Sequence, residues 1–190
     1  MVCFDERPKQ LIGEIRKPIP AVSGKQARYD YEYRRNGVAN LFMMFEPLAG
    51  RRHLKVTERR TKKDWAECIR QLVEEIYPKA DSIVLVMDNL NTHKKASLYE
   101  AFEPAEAKRI ADKLEICYTP KHGSWLNMAE IEISVLIRQC LTERMEDVKR
   151  LEKEAMMWAE KRNAKKTKVD WRFTTDDARI KLKKLYPSIE

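Results

Sequence analysis

The chain has 190 residues, enough for one domain with a real core. Its charged fraction of 36% exceeds the ~25% usual for soluble domains. Lys and Arg outnumber Asp and Glu by 38 to 30, a net charge of +8 and a pI near 9.3, which favours an anionic partner, most often nucleic acid. No apolar stretch approaches the ~20 residues of a membrane span. Acidic Asp5 and Glu6 arrive too early for a secretory signal, so a cytoplasmic, nucleoid-associated location is expected. Cys3, Cys68, Cys117 and Cys140 form no C-x-x-C pair. They read as reduced core residues, neither a disulfide framework nor a zinc site.

Met1-Val2-Cys3-Phe4-Asp5-Glu6 is a short apolar run ending in acids. A central strand that opens at residue 1 suggests a missing upstream part. Residues 7–30, with Pro8, Pro18, Pro20 and Gly24, read as an irregular excursion with a short strand near 10–15. Asn36-Gly37 is the strongest hairpin signal and should join residues 29–34 to residues 38–46. Pro47 to Gly50 then turns the chain into 52–58, where apolar and polar residues alternate as in a strand with one wet face.

Thr61-Lys62-Lys63-Asp64 has capping-box spacing. Trp65, Ile69, Leu72, Val73 and Ile76 follow at helical spacing, up to Pro78. Ile83-Val84-Leu85-Val86-Met87 is a run of five apolar residues ending at Asp88 and reads as a strand buried on both faces. Two helical pieces over 96–102 and 105–114 follow, Pro104 suiting the first turn of the second. A short strand at 115–119 stops at Pro120. Helices are expected over 127–141, over 146–164, and from Thr174 through Leu185 to a stop before Pro187.

Three antiparallel strands followed by two parallel ones predict an α/β, five-stranded mixed sheet flanked by helices. That is the layout of ribonuclease-H-like nucleases, in which the first and fourth strands are neighbours. The expected division is a core over 1–145 and a helical extension over 146–190 of a single domain. Asp5 and Asp88 would then meet where open α/β sheets hold ligands. The plainer reading of Asp88 is a turn cap.

Two carboxylates at neighbouring strand ends are half of a magnesium site for phosphoryl transfer. Two ions about 3.5–4 Å apart can activate the attacking oxygen and stabilise the leaving one, and magnesium needs only a few oxygen ligands beside its waters. A third acid should come from the helix over 127–141. Glu130 and Glu132 are candidates about 200° apart on a helical wheel, so only one can face the metals. Spacing does not choose between them, and both also suit an ordinary helix N-terminus.

Asp88-Asn89-Leu90-Asn91-Thr92-His93, then Tyr118-Thr119-Pro120, then Trp125-Leu126-Asn127-Met128-Ala129-Glu130 resemble the DDE transposases of the mariner superfamily, in the bacterial insertion-sequence branch. Met128 and Ala129 stand where the family carries Pro and Ile. The spacing from second to third acid is also longer than in many relatives, partly through Lys121-His122-Gly123-Ser124-Trp125. The resemblance covers nearly the whole chain. It implies a triad of Asp5, Asp88 and Glu130 holding two Mg2+ or Mn2+ ions, DNA strand cleavage and strand transfer during transposition. It implies element ends and target DNA as partners, and a second copy of the chain in a homodimer. Family members carry an N-terminal helix-turn-helix region that is absent here, so the chain reads as truncated, and a non-catalytic DNA-binding remnant stands as the alternative.

In a polynucleotide enzyme, Arg51, Arg52, Lys55, Arg59, Arg60, Lys62 and Lys63 become candidate phosphate contacts, as do Lys121, Lys161, Arg162, Lys165 and Lys166. Solvated element faces are the default for such runs. His93 is expected near the metals or DNA, or bonded to backbone at a helix start. Trp125 could stack on a base or pack internally.

Overall fold

The computed structural model describes residues 1–121 and 123–183. One five-stranded sheet runs in the order β3-β2-β1-β4-β5. β1 (Val2–Glu14), β2 (Tyr33–Glu46) and β3 (Arg51–Thr57) pair antiparallel. β4 (Ile83–Met87) is parallel to β1, and β5 (Leu114–Tyr118) is parallel to β4. The first and fourth strands are neighbours, as the ribonuclease-H-like layout requires.

Helices cover both faces, and strand alternation sorts the side chains between them. Val2, Phe4, Phe42, Met44, Leu85 and Met87 form one core with Trp65, Ile69, Leu98 and Ile110. These come from α1 (Lys62–Gln71), α2 (Ala96–Ala101) and α3 (Pro104–Asp112). Cys3, Leu41, Met43, Phe45 and Leu54 form the other with Ile133 and Leu136 of α4 (Met128–Cys140) and Leu151, Ala155 and Trp158 of α5 (Val148–Ala164). Double coverage is why Leu41 to Phe45 is an unbroken apolar run. α5, expected from sequence in an extension beyond residue 145, is thus part of the second core.

Thr61 caps α1 in the expected reciprocal arrangement with Asp64, and α1 runs on through a π-helical turn, Leu72–Ile76. Thr174 and Asp177 make a second capping box on α6 (Thr175–Lys181). The expected continuation to Leu185 and the stop before Pro187 lie outside the described residues, as does His122.

The Asn36-Gly37 hairpin expectation is corrected. β2 runs straight through this dipeptide. The β1–β2 register shifts between Gln10 and Ile12, so that Asn36 and Gly37 together oppose Leu11 in a β-bulge. Gly37 has φ 101°, which a bulge can use as readily as a hairpin turn. The excursion instead turns back around Gly24, between the bridges Val22↔Lys25 and Ile19↔Arg28. The expected irregular stretch after Glu6 is also corrected, because β1 continues to Glu14. Pro8 is tolerated there because β1 has by then passed the end of its pairing with β4. Cys117 is a smaller correction: on β5, at the sheet edge, it is exposed, whereas Cys3 and Cys68 are buried.

Candidate active site

Val2 pairs with Leu85 and Cys3 with Val86. The same offset sets Asp5 beside Asp88, one residue past the end of β4. Phe4 and Met87 point into the α1 core, so alternation turns Asp5 and Asp88 to the opposite face, where α4 lies. Asn127 fastens α4 there. Its Oδ1 caps the helix by accepting from the Ala129 amide at 3.1 Å, and its Nδ2 donates to the Phe4 carbonyl at 2.8 Å. One buried side chain therefore both starts the helix and ties it to β1 beside Asp5. Sequence reading missed this role, although an Asn immediately before a helical period was the available signal.

Glu130 and Glu132 have different surroundings. Glu132 is 1% exposed and lies between Arg52 at 2.8 Å and Arg162 at 2.7 Å. Arg52 also stacks on the Phe45 ring at 4.9 Å. Glu132 is committed to joining α4, α5 and β3. Glu130 stands in the first turn of α4, half-buried, with Oε2 enclosed and without a hydrogen-bond partner.

The acids act on one another. Burial first, then the charges of Glu6, Asp88 and Glu130, push the Asp5 carboxyl up to about 7, against a lowering by the Glu6 amide that donates to it. His93 Nδ1 lies 2.6 Å from Asp88 Oδ1 and its Nε2 lies 2.9 Å from Glu6 Oε2. Burial would lower the imidazole pKa, but the bonds to Asp88 and Glu6 and their charges outweigh it and raise it to about 9. His93 is therefore an imidazolium at neutral pH, ion-paired through both nitrogens, with Nδ1 also 3.3 Å from the Asp88 carbonyl oxygen. Its hydrogen bond in turn holds the Asp88 carboxyl below its ordinary value.

Asp5, Asp88 and Glu130 share one edge without forming a finished cage. Among the described residues, no group of three or more His, Cys, Asp and Glu is arranged to hold a metal ion. Ionised together, the three carboxylates would repel, and either a proton on Asp5 or a bound cation relieves that repulsion. The donor set fits a hard divalent ion: it is all carboxylate, with one orphaned oxygen on Glu130.

Several expected DNA contacts are corrected. Arg52 and His93 are each 1% exposed and cannot reach a phosphate. Arg162 is engaged with Glu132. Trp125 packs edge-on against Phe173 at 4.8 Å, with the Lys181 ammonium 4.3 Å over its ring, so it is not a free stacking platform. Lys121, Arg59, Arg60, Lys63, Arg51, Lys161, Lys165 and Lys166 are exposed, and Lys55 and Lys62 half-buried. The two basic runs meet only at one end of β3, where Arg51 and Lys166 line one hollow. The C-terminal end of α5 meets the Gly50–Arg52 end of β3, where Arg52 donates to the Thr167 carbonyl, while Arg59 to Lys63 follow the other end. At ~3.3 Å per residue, these ends of β3 stand roughly 20 Å apart.

Two acids thus stand at adjacent strand ends of the mixed sheet and a third on a covering helix, the arrangement that the sequence resemblance implies. The DDE superfamily endonuclease family matches residues 1–152, and the chain belongs to it. Its fold is similar to that of a transposase of known structure. The Mos1 transposase paired-end complex with left transposon end aligns at 12% identity and a TM-score of 0.58, over 84% of this chain and 47% of that one. The Mos1 strand transfer complex aligns at 13% identity over 90% of this chain and 55% of that one, with a TM-score of 0.35, too low to argue from. The chain thus spans about half the length of the Mos1 transposase chains. No curated protein matches it. No described helix is long and apolar enough to cross a membrane.

Proposed function

We propose that this chain is the catalytic domain of an insertion-sequence transposase that cuts DNA and joins the freed 3′ end to a target, using two divalent metal ions. The observation that supports it most is the strand register that sets Asp5 beside Asp88 at the sheet edge, with α4, which carries Glu130, tied to β1 there by Asn127. Asp5, Asp88 and Glu130 are the metal-holding residues in this reading, and Mg2+ or Mn2+ would activate the attacking oxygen and stabilise the leaving one. Asp5 must release its proton to serve as a ligand, so metal binding and proton release are linked. His93 donates to Asp88 and keeps it ionised.

The exposed lysines and arginines, Arg59, Arg60, Lys63 and Lys121 foremost, hold the phosphate backbone by charge and so supply affinity without sequence choice. Element ends and target DNA are the substrates, and a second copy of the chain is the partner proposed for bringing two ends together. The DNA-binding remnant is the weaker reading because all three acids are intact and gathered on one edge.

The test is nicking of supercoiled plasmid by the purified chain with Mg2+ or Mn2+. Metal-dependent nicking by the wild type that is lost in Asp88→Asn is expected. DNA binding without nicking would leave the remnant reading standing, and nicking that survives Asp88→Asn would overturn the catalytic assignment.

A further inference from the structure

Glu6 follows a proposed metal ligand in sequence but does not share its site. Strand alternation sends Asp5 to the α4 face and Glu6 to the α1 face, among the residues around Phe4 and Trp65. There its side chain is 3% exposed and engaged at both oxygens: Oε2 with His93 Nε2 at 2.9 Å, Oε1 with Arg60 at 3.6 Å. The His93 ring is fixed by more than its hydrogen bonds. It meets the Phe4 ring edge-on at 5.5 Å and lies 6.0 Å from the Trp65 ring. The result is a relay at the sheet edge, Glu6 to His93 to Asp88, with a carboxylate at each nitrogen of one imidazole and the Asp88 carbonyl oxygen also near Nδ1.

We propose that Glu6 is a positioning residue that sets Asp88 for metal binding through His93, and that it is not itself a ligand. Asp88 is 34% exposed and sits past the end of β4, where backbone pairing no longer holds it. Its carboxylate has two oxygens to orient, and His93 fixes one of them. His93 in turn needs an acceptor at its far nitrogen, which Glu6 supplies. A carboxylate behind a histidine that orients a neighbouring group is a recurrent outer-shell arrangement around metals, and losing such a partner typically costs about 10–100-fold in metal affinity or activity.

The inference rests on the proposed metal site, and the test separates the two. Mn2+ is titrated into the 190-residue chain by calorimetry for the wild type, Glu6→Ala, Glu6→Gln and Asp88→Asn. Far-UV circular dichroism is measured on each. Glu6→Ala is expected to weaken Mn2+ binding about tenfold or more. Glu6→Gln keeps an acceptor oxygen toward Nε2 and should recover most of that loss, with the far-UV circular dichroism of the wild type. If Glu6→Ala does not fold, Glu6→Gln decides alone: a Kd raised about threefold is the expected result, and a Kd equal to wild type overturns the proposal. Loss of Mn2+ binding in Glu6→Gln as complete as in Asp88→Asn makes Glu6 a ligand and also overturns it. Absence of Mn2+ binding in the wild type overturns the metal site itself, and this inference with it.

Discussion

Glu130 and Glu132 stand two residues apart on α4 and serve opposite ends. Glu132 is closed in by Arg52 and Arg162, whereas Glu130 keeps a buried oxygen with no partner. The helical wheel separates them by about 200°, and the choice between them is made by a residue far off in sequence. Arg52 lies on β3, facing α4 across the second core.

Removing Glu132 leaves two guanidinium groups facing each other in a site where Arg52 is wholly enclosed. Glu132→Gln should therefore destabilise the fold by roughly 3–5 kcal/mol, the usual cost of breaking a buried pair from one side. Glu130→Gln removes one of several repelling charges and should leave metal-free stability equal or slightly higher. Urea unfolding of both variants without metal checks this. Equal loss in both would contradict the division of roles.

Stability without metal should fall as pH rises from about 4 to about 9, in two stages. The Asp5 carboxyl is raised from 3.8 to about 7, so the folded state holds its proton more tightly and loses ground as pH climbs through that window. The His93 imidazolium is raised from 6.5 to about 9, so its contribution is complete below 6.5 and lost as pH passes 9. Asp88 has the opposite sign: its lowered pKa gives stability that is present above 3.8 and lost as pH falls through its folded value. Melting temperatures across pH should show the first stage vanish in Asp5→Asn and the second in His93→Gln. With magnesium present the decline through pH 7 should flatten, because the metal binds the ionised form.

Asn127 has two tasks that substitution can separate. Asn127→Ala loses the cap and the tie to Phe4, and should cost at least the ~1 kcal/mol typical of a lost N-cap. Asn127→Asp keeps a capping oxygen but loses the Nδ2 donor, so α4 forms yet sits less firmly on β1. Denaturant unfolding should rank Ala below Asp in stability, while Mn2+ affinity should fall in both. Wild-type Mn2+ affinity in Asn127→Asp would show that the Phe4 contact does not place Glu130.

DNA binding should be electrostatic and dependent on exposed cations alone. Arg59→Ala and Lys63→Ala should weaken duplex binding evenly across sequences, each lowering the salt slope by about 0.9 where a phosphate contact is lost. Lys121→Ala tests the loop before α4 in the same way. A salt-insensitive affinity, or strong preference of this chain for one sequence, would contradict the account.

Much of this was legible in the sequence, for reasons visible in particular residues. The five apolar residues ending at Asp88 could be read because a strand covered on both faces needs no alternation. The capping box at Thr61 could be read because both partners lie within one helical turn. Asn36-Gly37 misled because positive φ serves a bulge and a hairpin alike, and only the cross-strand partner Leu11 distinguishes them. Arg52 looked like a surface cation because its counter-ion is 80 residues away on α4. The Glu6–His93–Asp88 relay was hidden for the same reason: its members come from β1 and from the loop after β4, and only the sheet brings them together.

The most direct measurement is anomalous scattering from manganese-soaked crystals of the chain. The account predicts density at the sheet edge within about 2.0–2.3 Å of carboxylate oxygens of Asp5, Asp88 and Glu130, the range for hard divalent ions on oxygen. It also predicts that Glu6 remains on His93 and Glu132 on its two arginines. Density at Glu6 or Glu132 instead, or none at the Asp5–Asp88 edge in manganese-saturated crystals, would contradict it.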